Sequence, residues 1–353
     1  MNQALEQYGN YFEKDDGRRV PVSDERYLHP FMMPTSDNTQ MRDGPPPGDL
    51  QDHQRGRILL QVHQLLYLFQ AFGIDLRGKR LLDVGTGNGM IPRLALEYTE
   101  LDSAVGCDPY LDGETVVSWQ VHDQDKAFME LREFIDRYAD GRFDFENYRH
   151  LAQLENFSLV PAPVTFAPRR RKQYRFAQVG AHDLHRLQEK FDVFYCKAIE
   201  HISDWDGVFR SMAAAGTDDA VVYFKHRTFF SYMGAHRRGS IGIPWGHLLL
   251  TDKEYRRFVR RRYPDDAGKM IEFYFNGLTY PRASVSDMVR TAHQYGFIPV
   301  AVMSEPTRYG QVTAKFIGEI KGFWDMVHVN HPTAGADEVL AGMYHILFRR
   351  VKA

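Results

Sequence analysis

Cysteine is scarce in this 353-residue chain: Cys107 and Cys196 are the only two, too few for a disulfide framework or a cysteine-based zinc site. Each ends a short apolar run, where a thiol serves as small apolar filler rather than as a nucleophile. No run of 18 apolar residues occurs, so no membrane-spanning helix is expected, and the N-terminus has no hydrophobic secretory core. Charge of one sign is also missing. The 44 Lys and Arg against 46 Asp and Glu leave a net charge of −2, which gives no overall electrostatic case for nucleic acid or an anionic membrane. The basic clusters at 169–172 and 256–262 are read as solvated faces balanced by nearby acids. Repeats and low-complexity tracts are absent as well. The expectation is a cytoplasmic protein without a nucleic-acid or membrane partner and with its oligomeric state open. The chain is long enough for one large domain or two small ones.

What is present is concentrated at 80–90, Arg-Leu-Leu-Asp-Val-Gly-Thr-Gly-Asn-Gly-Met. Leu81, Leu82 and Val84 read as a buried strand running into a glycine-rich turn. Gly85, Gly87 and Gly89 permit a sharp bend and a close approach of backbone N–H groups to a ligand. Asp83 precedes the first glycine, and Asp108 follows a second strand-like run at 104–107. Two carboxylates and three glycines at these offsets suggest a crevice for a small molecule carrying a ribose. A dinucleotide fingerprint would need its third glycine at position 90, which is Met90.

The G-x-G-x-G pattern behind an acidic residue resembles motif I of the class I S-adenosylmethionine-dependent methyltransferases. Asp108 matches that family's ribose-holding acid at the end of strand two. The stretch at 191–205, with Glu200 and His201 after an apolar run, is similar to its fourth strand and the helix start that follows. The resemblance runs over roughly 80–225, with a weaker tail at 285–352. It implies S-adenosyl-L-methionine as cofactor, held by Asp83, Gly85, Gly87, Gly89 and Asp108. Ala181, His182 and Asp183 would lie at the adenine, with Lys197 also on the cofactor.

Along the chain, 1–52 reads as an N-terminal extension whose aromatic and methionine residues (Tyr8, Tyr11, Phe12, Tyr27, Phe31, Met32, Met33) suit either a lid or simple anchoring contacts. A methyltransferase domain is expected over 53–353. Apolar residues Ile58, Val62, Leu65, Phe69 and Phe72 recur at helical steps up to Gly73. Strands are expected at 80–84, 103–107, 174–179, 191–196, 220–225, 298–304 and 343–349. Helices are expected at 91–98, 126–138, 203–212 with Ser203 as N-cap, and 284–295. The stretch at about 112–172 is longer than a crossover needs and reads as an insertion after strand two. Alternating strands and helices imply an α/β fold with a mostly parallel sheet covered on both faces. The resemblance makes it a Rossmann-like sheet of seven strands, with 343–349 inserted antiparallel.

Chemistry is expected after strands four and five. Methyl transfer to a hydroxyl needs a proton acceptor, and Glu200, His201 and His226 are the candidates, with an orienting role open for the Glu-His pair. An acceptor-side segment at about 226–283 carries His226, His236 and His247 with Phe229, Phe230, Tyr232 and Trp245. These rings suit an apolar acceptor or a sulfonium, or else complete a core. Arg227, Arg237 and Arg238 suit a carboxylate or phosphate. No metal site is expected. The reading is methyl transfer to a small-molecule acceptor at a hydroxyl, such as that of a sugar. The alternatives are a nicotinamide-dependent oxidoreductase and a non-catalytic S-adenosylmethionine-binding scaffold.

Overall fold

The computed structural model describes residues 11–22, 52–109, 124–139, 142–143, 164–165, 173–232, 234–306, 317–318 and 320–351. Tyr8, Tyr27, Phe31, Met32, Met33, the basic cluster at 169–172, most of the 112–172 stretch and the side chains of Arg237 and Arg238 lie outside the described residues.

A small antiparallel hairpin, β1 (Tyr11–Glu13) and β2 (Arg19–Pro21), comes first. Then follow α1 (Asp52–Ala71), β3 (Arg80–Val84), α2 (Met90–Tyr98), β4 (Ser103–Asp108) and α3 (Gln124–Ala139). The two-residue strands β5 (Arg142–Phe143) and β6 (Val164–Thr165) pair with each other ahead of β7 (Gln173–Gln178), β8 (Phe191–Cys196), α4 (Trp205–Ala215) and β9 (Gly216–His226). The short helices α5 (His236–Gly239) and α6 (Gly246–Leu249) lead to α7 (Asp252–Arg262) and α8 (Ala267–Glu272). The chain closes with α9 (Val285–Gln294), β10 (Phe297–Pro306), α10 (Phe323–Asn330), α11 (Ala336–Leu340) and β11 (Ala341–Arg350).

Seven strands form one sheet in the order β10-β11-β9-β8-β3-β4-β7. The pairs β8/β9, β3/β8, β3/β4 and β4/β7 are parallel, and β11 runs antiparallel to both neighbours. This is the Rossmann-like α/β sheet with its antiparallel seventh strand. The side-chain period of two explains how it is buried on both faces. Leu81, Val193, Tyr195, Val221 and Tyr223 pack with α1 and α2 residues such as Leu65, Phe69 and Leu94. Their chain neighbours Leu82, Phe194, Cys196, Val222 and Phe224 face the opposite core with Phe209 and Met288. There the Phe209 ring sits 5.6 Å from Phe224, 5.9 Å from Phe297 and 5.6 Å from Phe348, joining α4 to three strands. A buried phenylalanine of this kind contributes about 1.5–3 kcal/mol.

A third apolar cluster lies apart from the sheet faces and gathers the 229–280 segment, the β1–β2 hairpin and the 320–339 helices. The rings expected at an acceptor are part of it. Phe229, Phe230, Tyr232 and Trp245 are all buried, with Trp245 edge-on to Tyr232 at 4.8 Å and to Phe323 at 5.6 Å. In the 256–262 cluster, expected to be a solvated face, Phe258 and Val259 are buried while Arg260 and Arg261 are exposed. One cap differs from expectation. Helix α4 begins at Trp205, and the Asp204 carboxylate, not the Ser203 hydroxyl, accepts the Gly207 N–H at 2.9 Å. Asp204 stands one place closer to the first turn, where its charge also meets the positive end of the helix.

Candidate functional site

The connections leave β3 toward β4 on one side and reach β8 on the other, so the sheet order reverses between β3 and β8. Open α/β sheets bind ligands at the carboxyl ends of the strands flanking such a reversal. The glycine-rich turn stands there. Gly85, Gly87 and Gly89 have φ of 72°, 59° and 70°, conformations that L side chains rarely adopt. The Gly85 and Thr86 N–H groups donate to the Cys107 carbonyl at 2.8 and 3.1 Å, tying the turn to the end of β4. A Cβ on Gly85 would come within 2.9 Å of the Ala198 Cβ, and one on Gly89 within 2.2 Å of the Tyr174 hydroxyl. Only a bare backbone fits between Ala198, just past β8, and the Tyr174 ring, which reaches up from the start of β7.

Asp83, the last residue but one of β3, is buried and accepts the Thr86 hydroxyl at 2.7 Å. Burial pushes its carboxyl up to about 7, against the pull of the Thr86 hydroxyl and the Lys197 cation. Asp108, buried at the end of β4, accepts the Gly87 N–H at 3.2 Å. The next strand end carries Ala181, His182 and Asp183, because β4 and β7 run in register to Asp108 and Gln178. Ala181 is buried; His182 and Asp183 are exposed. His182 Nε2 lies 3.2 Å from the Asp204 carbonyl at the start of α4.

On the other side of the reversal, β8 is followed by Lys197 and a 3-10 turn, Ile199–His201. Lys197 Nζ donates to Gln61 of α1 at 3.2 Å. Glu200 is buried, its Oε2 has no hydrogen-bond partner among the described residues, and burial pushes its carboxyl up to about 7 against the opposing pull of Arg227, Lys197 and Lys225. The His201 ring is edge-on to Tyr280 at 4.9 Å and to His236 at 6.1 Å. His226 ends β9 fully buried, edge-on to Trp205 at 5.6 Å, with neither ring nitrogen hydrogen-bonded. Desolvation, with the Arg227 cation adding to it, pushes its pKa down to about 3, so it is a neutral imidazole at physiological pH.

The structure thus sets Glu200 and His226 at the neighbouring ends of β8 and β9, with His201 beside Glu200. Of the other histidines in the 226–283 segment, His247 bonds the Phe229 carbonyl at 3.0 Å inside the third core. His328 and His331 likewise lie near the carbonyls of Ala334 and His247, both at 3.2 Å. Among the described residues no group of three or more His, Cys, Asp or Glu is arranged to hold a metal ion. No helix among them is long and apolar enough to cross a membrane.

Two residues near these strand ends escape the sequence reading. Lys225 is buried on the α1 face of β9 and donates to Gln64 at 2.7 Å, with burial pulling its pKa down to about 8. A lysine placed where period two demands an apolar side chain is the signal that would have found it. Tyr174, whose hydroxyl fills the space under the glycine turn, reads in sequence as an ordinary aromatic strand residue.

The family model described as a methyltransferase domain matches residues 52–277, more than half of the chain. A search of curated proteins found no match. Among solved structures, the cyclopropane synthase MmaA2 from Mycobacterium tuberculosis is 14% identical, with 81% of this chain and 84% of that one covered and a TM-score of 0.40. An S-adenosylmethionine dependent methyltransferase from Mesorhizobium loti is 15% identical, with 80% and 96% covered and a TM-score of 0.38. The chain belongs to the methyltransferase-domain family, as a class I S-adenosylmethionine-dependent enzyme. The residues present suit that cofactor. The turn at the end of β3 is bare backbone with three positive-φ glycines, buried carboxylates stand at the ends of β3 and β4, and a buried carboxyl oxygen just past β8 lacks a partner among the described residues.

Proposed function

We propose that the enzyme methylates a hydroxyl of a small-molecule acceptor at the carboxyl ends of β8 and β9, with Glu200 taking the hydroxyl proton. S-adenosylmethionine, when bound, supplies an electrophilic methyl group on a positively charged sulfur. Asp83, the glycine turn of 85–89, Asp108 and the 181–183 turn are the residues that would hold it, with Lys197 at their margin. The chain's own task is to orient the acceptor, exclude water and move one proton. The observation that carries the reading is Glu200: a buried carboxyl with an unpartnered oxygen and a pKa near 7. A group near the working pH spends comparable time in both protonation states, which is what a proton acceptor requires. His226 at about 3 is too weak a base for that step, and it serves as a neutral hydrogen-bonding partner. His201, next to Glu200 in the chain, is braced by Tyr280 and His236.

The family match covers the glycine turn and the parallel strands β4, β7, β8 and β9 after it, which removes the support for a nicotinamide-dependent oxidoreductase. The test is an acceptor screen that follows S-adenosylhomocysteine formation and locates the methyl group by mass spectrometry. The proposal expects an oxygen-linked methyl and a Glu200→Gln variant about 10²–10⁴-fold slower, with S-adenosylhomocysteine affinity kept within threefold. A nitrogen- or carbon-linked product, or wild-type turnover in the variant, would sink it.

A further inference from the structure

The acceptor end of the sheet is more cationic than proton transfer requires. Three cations act on Glu200, with Arg227 first and Lys197 and Lys225 behind it. Lys197 and Lys225 are each occupied by a glutamine of α1, Gln61 and Gln64. Arg227 differs from them. It directly follows β9, is half-buried, and its Nε is buried without a hydrogen-bond partner among the described residues. Its neighbour His226 carries two further buried ring nitrogens in the same state.

A buried guanidinium nitrogen left unpaired is costly, and structures normally satisfy such groups with protein, water or ligand. Glu200 does not fill that role here, because its own Oε2 is likewise without a hydrogen-bond partner among the described residues. The chain also places this cationic edge next to the crevice for a positively charged methyl donor, and like charges brought together in a partly dry site repel strongly. An anion on the acceptor would answer both problems at once.

We propose that the acceptor carries an anionic group, a carboxylate or a phosphate, and that Arg227 holds it, with the His226 ring as a neutral hydrogen-bonding partner. The inference rests on the β8–β9 edge being the acceptor site. Arginine suits the role because its planar fork binds carboxylate and phosphate through two parallel hydrogen bonds. Holding the anion at Arg227 would keep the acceptor's hydroxyl end beside Glu200, so Arg227 is a specificity residue rather than the proton acceptor.

The experiment uses the full chain saturated with S-adenosylhomocysteine, whose own binding is first measured by calorimetry. Sodium benzoate and inorganic phosphate are then titrated separately at constant ionic strength, followed by the imidazole nitrogen resonances of His226. Saturable shifts with benzoate alone mark a carboxylate acceptor, and with phosphate alone a phosphorylated one; either supports the proposal. Arg227→Gln should weaken that anion at least tenfold and Arg227→Lys less, while the exposed-site control Arg290→Gln should leave it unchanged. A second arm needs no variant: in wild type, 4-hydroxybenzoate should compete with the bound anion at least tenfold better than 4-hydroxybenzamide. Saturation with neither anion, or an Arg227→Gln protein that binds as wild type does, overturns the inference. Failure to bind S-adenosylhomocysteine at all would instead overturn the reading of the site.

Discussion

Glu200 keeps its proton to about pH 7 because the fold takes its carboxyl out of water. The ordinary value of 4.5 applies to the unfolded chain. Between those two values the folded state binds the proton and the unfolded state has released it, so stability falls as pH rises through this window. The full penalty, about 3 kcal/mol from the size of the shift, is present above pH 7 and absent below 4.5. Glu200→Gln removes it. The variant should therefore melt several degrees above wild type at pH 8 and match it at pH 4.5, by scanning calorimetry. An equal gain at both pH values would show that the carboxyl is not raised. Asp83 makes a separate prediction. With its carboxyl also near 7, a cationic ligand arriving beside it at pH 6.5 should displace a proton. Calorimetry of S-adenosylmethionine binding in buffers of different ionisation enthalpy should detect that release, and Asp83→Asn should abolish it. For Asp108, which holds the turn through Gly87, Asp108→Ala should cost about 1–3 kcal/mol of cofactor affinity through lost charge-assisted hydrogen bonds. Unchanged affinity would remove it from the ribose role.

Elements were legible in the sequence wherever burial on both faces forced an apolar run. The runs at 191–196 and 80–84 became strands of those same bounds, because a central parallel strand has no solvent face to blur its ends. Strand β9 was longer than its apolar run, starting at Gly216, since its first residues pair at the sheet's rim where Asp218 and Asp219 stay exposed. The 226–283 segment was harder. Its aromatics and histidines follow no helical or strand period, and composition does not say whether a ring faces a ligand or another ring; here Phe229, Tyr232 and Trp245 pack on protein. The glycine turn was legible as a turn, but its reason for excluding side chains was not, since Tyr174 lies 85 positions from Gly89 in sequence. That contact separates two costs. Gly73 and Gly89 share a positive φ, of 65° and 70°, but a Cβ on Gly73 meets nothing within 4 Å. Gly73→Ala should cost about 1 kcal/mol of backbone strain alone. Gly89→Ala should cost about 1–3 kcal/mol more, because the Tyr174 ring must move. Urea unfolding of both variants reads the difference, and equal losses would mean that Tyr174 yields freely.

At the scale of the whole molecule the chain builds two cores on the faces of one sheet and a third beside them, and the hairpin at 11–21 belongs to the third. Phe12 meets Phe258 edge-on at 5.4 Å. Next to it, Lys14 is buried with its Nζ 2.7 Å from Glu254 and 2.5 Å from the Leu249 carbonyl, while the Asp15 N–H donates to Glu254 at 2.7 Å. Glu254 also completes the capping box of α7 with Thr251. Burial pushes the Glu254 carboxyl up, but Lys14 and the backbone N–H groups of Thr251 and Asp15 outweigh it and hold the carboxyl below its ordinary value. Such a group contributes stability above the unfolded pKa and loses it as pH falls through the folded one, so acidification should weaken the hairpin's attachment. Lys14→Met keeps the side chain's length and leaves Glu254 buried without its counter-charge, a change that costs about 3–5 kcal/mol when a buried pair is broken. Hydrogen exchange should then show lost protection at Phe12, Val20 and the first turn of α7, with β3, β4 and β8 protected as before. Adding Glu254→Gln should restore most of the hairpin's protection, because a neutral amide no longer demands a cation. Because the proposed cofactor crevice lies at the strand ends of the sheet and not in this core, S-adenosylhomocysteine affinity should stay within threefold in both variants. Protection lost evenly across the sheet, or a cofactor affinity that collapses with the hairpin, would mean that the third core and the sheet unfold as one unit.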